Sequence, residues 1–143
     1  MKTVILDSSV IIKWFKSEKE THVKQAEVYL KDFLNNKIKI IISPLTILEI
    51  INNALFDKYL PYENWQKNIG FLFKLDLEIA SFDKNLFYET LNLGKKYQIT
   101  TYDASYIALA KKLKAEFITA DKKLVKKVKL SYVRVISNFS HQI

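Results

Sequence analysis

Short apolar, β-branched runs recur along this chain, and stretches with helical spacing separate them. TVIL (3–6), IKIII (38–42) and YVRVI (132–136) each read as a buried strand. EFIT (116–119) is a fourth such run and KLDLEIA (74–80) a fifth. Helical patterns cover 8–16, 20–35, 45–59, 61–73, 83–97, 101–114 and 121–128. Ser43 before Pro44 is a helix opening, a capping hydroxyl followed by a residue whose missing N–H costs nothing there. Strands that alternate with helices pair in parallel, and the helices cover both faces of the sheet. The pattern predicts a three-layer α/β/α sandwich around a central parallel sheet of four to five strands. No repeat, low-complexity stretch or linker interrupts the 143 residues, so 1–143 is expected to form a single domain.

Composition removes several function classes. The chain has no cysteine, which excludes disulfides, thiolate zinc sites and cysteine nucleophiles. The apolar run before Asp7 is too short for a signal-peptide core. The greasiest stretch, IIISPLTILEII, is broken by Ser43, Pro44 and Glu49, so no membrane span is expected. A cytoplasmic protein is the simplest reading. The formal net charge is +8, and its placement is uneven: Lys111 to Arg134 holds nine basic residues against Glu116 and Asp121. Such a field suits a polyanion such as nucleic acid, and equally suits solvated helix faces.

Against this basic background, a few carboxylates stand in unusual places. The run VILDSS carries a buried strand straight into Asp7, and FITADKK repeats the grammar with Asp121. In open parallel sheets, ligands bind beyond the carboxyl ends of the strands. If the two strands are neighbours, both carboxylates meet at one rim. Taken singly, each aspartate reads as a helix N-cap. Glu49 interrupts the apolar LTILEII and shares a helix face with Asn52 and Asn53, the arrangement of a plain amphipathic stripe as well. Asp103, in TTYDASYIALA, suits the dipole of a helix start. Together, four carboxylates on one rim would repel unless a cation neutralised them. All-oxygen donors favour Mg2+ or Mn2+ over zinc, and His22 and His141 read as surface residues. A haloacid-dehalogenase-type phosphatase would want a second aspartate two residues after Asp7, where Ser9 stands.

Four segments, in order and nearly spanning the chain, carry a family resemblance: LDSSVIIKWF (6–15), SPLTILEIINNAL (43–55), TTYDASYIALA (100–110) and FITADKKL (117–124). The chain resembles PIN-domain ribonucleases, specifically the VapC-type toxins of toxin–antitoxin pairs. That resemblance implies Mg2+- or Mn2+-dependent cleavage of single-stranded RNA by an activated water. It assigns Asp7, Asp103 and Asp121 as metal ligands, and Glu49 as a ligand or as the base that orients the water. Ser9, Thr119 and Asn52 match positions that support the acidic cluster. The resemblance also implies a homodimer silenced by a small antitoxin, with Trp14, Phe15, Leu55, Phe56 and Tyr59 available for contacts or for core packing. Arg134 is the only arginine, so RNA contacts would rest on lysine, a point charge without the bidentate fork. The alternative is a catalytically silent PIN-fold module that binds RNA or antitoxin.

Overall fold

The computed structural model describes residues 1–137; His141 lies outside them. The chain runs β1 (Lys2–Leu6), α1 (Ser8–Ile11), α2 (Val23–Leu34), β2 (Ile38–Ile42), α3 (Pro44–Phe56), α4 (Tyr62–Lys74) and β3 (Glu78–Ile79). It continues through α5 (Lys84–Tyr97), α6 (Thr101–Leu113), β4 (Glu116–Thr119), α7 (Lys122–Val128) and β5 (Val133–Val135). The five strands form one sheet in the order β3-β2-β1-β4-β5, and every pairing is parallel. The three-layer α/β/α reading therefore holds, with the strand count at its upper value.

Alternation along the strands sorts the core into two layers, because successive side chains in a strand point to opposite faces. Val4, Leu6, Ile40, Ile42 and Ile118 pack with residues of α1 to α4, among them Ile11, Tyr29, Ile50 and Trp65. Ile5, Ile41 and Phe117 face the other way, onto α5, α6 and α7. Seven consecutive residues of α6, Ala104 to Ala110, are buried. Its small alanines let the helix lie close against the sheet.

Two expectations need correction. The first helix extends only four residues and then tightens into a 3-10 turn over Ile12–Trp14, ending short of Lys16. The strand expected over 74–80 is reduced to Glu78–Ile79, because Lys74 still belongs to α4 and Leu75 caps it. The apolar residues there serve the end of a helix first, and β3 is an edge strand that pairs only through Ile41 and Ile42.

Ile5 is fully buried at the centre of the sheet, whereas Leu91 on α5 is 68% exposed. Ile5→Ala is expected to lower the unfolding free energy by about 2–5 kcal/mol and Leu91→Ala by less than about 0.5. Urea denaturation of the two variants checks this; equal losses would mean that the buried layer is misplaced.

Candidate active site

β1 and β4 are neighbours, with Leu6 opposite Ile118, so the residue after each strand emerges at the same edge. Asp7 therefore stands beside Thr119, and both of its oxygens are held. Thr119 Oγ1 donates to Asp7 Oδ2 at 2.7 Å, and Ser9 Oγ donates to Asp7 Oδ1. Each hydroxyl also accepts from the turn after β4: Ser9 Oγ from Ala120 N at 3.1 Å and Thr119 Oγ1 from Asp121 N at 3.1 Å. Two hydroxyls thus tie one carboxylate to the backbone that presents another. Asp7 does not cap α1 with its side chain, contrary to the plain capping reading.

Asp121 does cap, accepting from Leu124 N at 3.0 Å at the start of α7, and its side chain is exposed. Asp103 lies in the first turn of α6, whose cap is Thr100, accepting from Asp103 N at 3.1 Å. Glu49, partly buried on α3, accepts from the Tyr106 hydroxyl at 2.8 Å. Asn52 is exposed one turn further on and lines the same groove as Glu49.

Electrostatics link the four. Burial pushes the Asp7 carboxyl up to about 6; the hydrogen bonds from Ser9 and Thr119 oppose the rise, and the charge of Glu49 adds to it. Asp103 is also raised, first by burial, then by Asp121 and Glu49. None of the ion pairs among the described residues involves Asp7, Glu49, Asp103 or Asp121. Elsewhere the lysines do find partners: Asp57, Asp83, Glu89 and Glu116 are all paired. The rim is thus a patch of uncompensated negative charge in a basic protein. Among the described residues, no three His, Cys, Asp or Glu side chains stand close enough together to hold one ion. The donor set fits a hard divalent cation in its chemistry: oxygen donors, no ion pair to a lysine, and two carboxyls, Asp7 and Asp103, that resist ionisation.

Two grooves flank the rim. One, of about 620 Å³, is lined by Ser8, Leu48, Glu49, Asn52, Phe56 and Tyr102. The other, of about 220 Å³, brings Asp103 and Asp121 together with Lys123 and Lys127. Sequence reasoning passed over Tyr106 and Thr46, whose hydroxyls meet at 2.9 Å beside Glu49. Their signal was spacing: Tyr106 follows Asp103 by three residues and Thr46 precedes Glu49 by three, so each shares its carboxylate's helix face.

Residues 4–130 match the family model described as "PIN domain", and the chain belongs to that family. PIN domains are generally nucleases. Among solved structures, the chain is similar to PAE2754 from Pyrobaculum aerophilum, at 18% identity and a TM-score of 0.71, over 95% of this chain and 85% of that one. A toxin–antitoxin complex from Klebsiella pneumoniae matches at 17% identity and 0.70, over 93% and 97%. VapBC2 from Rickettsia felis, bound to a DNA fragment from its promoter, matches at 16% identity and 0.71, over 93% and 98%. No curated protein matches the chain. At these identities the structural likeness establishes the fold.

The elevated Asp7 carboxyl has a measurable consequence in metal-free protein. Its folded-state value is above the unfolded 3.8, so the folded chain holds the extra proton between about pH 4 and 6. That stabilisation is complete below the unfolded value and is lost as pH rises through about 6, by about 3 kcal/mol at most. In EDTA, Asp7→Asn is therefore expected to gain stability relative to wild type from pH 4 to 7. Melting curves of both proteins across that range test it, and a constant difference would contradict a poorly hydrated carboxyl without an ion-pair partner.

Proposed function

We propose that this protein is a divalent-metal-dependent endoribonuclease, and the toxin of a toxin–antitoxin pair, acting in the cytoplasm. The observation that carries the reading is the rim itself: Asp7, Glu49, Asp103 and Asp121 at the carboxyl edge of a parallel sheet, mutually repelling and without a lysine partner. A phosphodiester is anionic, and such a rim admits it only with cations between them. Asp7, Asp103 and Asp121 would hold Mg2+ or Mn2+, directly or through water, with Glu49 as a further ligand or as the base that orients the attacking water. A bound cation of this kind lowers the pKa of its water and neutralises charge on the phosphoryl oxygens.

The chain's own residues account for the rest. Ser9 and Thr119 hold both oxygens of Asp7 in place, which leaves that carboxylate few ways to turn. Lys123 and Lys127, in the groove beside Asp103 and Asp121, give the backbone of a single strand a cationic wall. Point charges of this kind favour phosphate contact over base reading. No helix among the described residues is long and apolar enough to cross a membrane.

The partner follows from a different surface. Leu48, Leu55, Phe56 and Tyr59 are exposed by 63, 60, 74 and 50% along α3 and just beyond it. Trp14 and Phe15, named with them from the sequence, instead pack against the core. An apolar surface of this kind beside the acidic groove suits an antitoxin segment that covers both. The neighbours solved as toxin–antitoxin complexes support that assignment, and a homodimer is part of the same reading.

Incubation of purified protein with total cellular RNA and Mn2+ or Mg2+ is the direct test, since a toxin specific for one structured RNA would spare a generic oligonucleotide. Discrete cleavage is expected, abolished by EDTA and slowed on the order of 10²-fold by Asp7→Asn. If the variant cuts as fast as wild type, the reading fails. Binding of intact RNA without cleavage under any metal would instead favour the catalytically silent module.

A further inference from the structure

Tyr106 is 3% exposed on α6, yet its hydroxyl is used twice. It donates to Glu49 Oε1 at 2.8 Å and lies 2.9 Å from Thr46 Oγ1. An ionised carboxylate only accepts, so the tyrosine proton points at Glu49 and the Thr46 hydroxyl must donate to Tyr106. Thr46 Oγ1 accepts in turn from the Ser43 backbone N–H at 3.3 Å, at the cap of α3. The result is a one-way chain of donors, from the Ser43 N–H through Thr46 and Tyr106 to Glu49. Its members are rigid: Ser43 and Thr46 are fully buried, and the Tyr106 ring stacks on buried Phe117, with centroids 5.0 Å apart and planes 4° apart.

We propose that Tyr106 is the positioning residue for Glu49, pinning Oε1 from across the sheet rim so that Oε2 is the oxygen presented to the metal or its water. This rests on the metal-site reading above and deepens it. An unrestrained glutamate on α3 could swing into the 620 Å³ groove that it lines. The link also joins α3 to α6, the helix that carries Asp103, so two of the four carboxylates are set relative to each other by a single hydroxyl. Groups that orient a metal's ligands in this way contribute strongly to its affinity.

Tyr106→Phe deletes one oxygen and keeps the ring on Phe117. Mn2+ affinity, read by calorimetry, is expected to fall about 10-fold in the Glu49 background and less than about 2-fold when Glu49 is already Gln. kcat for RNA cleavage is expected to fall with KM nearly unchanged. Thr46→Val, which removes the donor to Tyr106, is a second variant expected to act in the same direction with the same dependence on Glu49. Melting curves confirm folding for both. An equal loss of Mn2+ affinity in both backgrounds would make Tyr106 merely structural, and no loss in either would also overturn the proposal. Wild type that binds no Mn2+ removes the metal reading and this proposal with it. Coupling observed in a protein that cuts no RNA would sustain Tyr106's role and refute only the nuclease.

Discussion

The parallel pairing of β1 with β4 is the contact on which the rest of the rim depends. It sets Leu6 against Ile118 and so delivers Asp7 beside Thr119, where two hydroxyls bridge one carboxylate to the turn that presents Asp121. Those bridges require the chain to leave both strands in the same direction, which only parallel pairing provides. The apolar sheet and the acidic rim are two ends of the same arrangement. Val4, Ile5 and Leu6 are fully buried because helices cover both faces, and that burial brings Asp7 to an edge where it is poorly hydrated.

Charge placement gives the rim its meaning. The chain carries a net +8, and its lysines pair with Asp57, Asp83, Glu89 and Glu116 while leaving the rim carboxylates alone. Such selective neglect costs stability, since burial and mutual repulsion both oppose ionisation of Asp7 and Asp103. Proteins hold strain of this kind at sites where a ligand relieves it. The lysines that do approach, Lys123 and Lys127, border the groove without pairing with the acids in it.

Much of this was legible in the sequence, for physical reasons. β-Branched runs that must be buried on both faces leave a dense apolar signal, so TVIL, IKIII and EFIT were placed almost to the residue. KLDLEIA held only over Glu78–Ile79, because Leu75 and Leu77 serve a helix end and a loop as readily as a strand, and an edge strand needs few apolar residues. At the site, carboxylates announce themselves by interrupting apolar runs. Tyr106 and Thr46 do not: each fits its apolar helix, and only the three-dimensional structure shows that their hydroxyls meet. Asp7, which taken singly reads as a helix cap, turns its oxygens to Ser9 and Thr119 instead.

The central claim is that the unpaired rim exists to hold a divalent cation. Crystals grown with Mn2+ and measured at its absorption edge test it most directly. The account predicts an anomalous peak at the rim, within coordination distance of the Asp7 carboxylate and of at least one of Asp103, Asp121 or Glu49. Fully occupied Mn2+ elsewhere on the protein with none at the rim would contradict it.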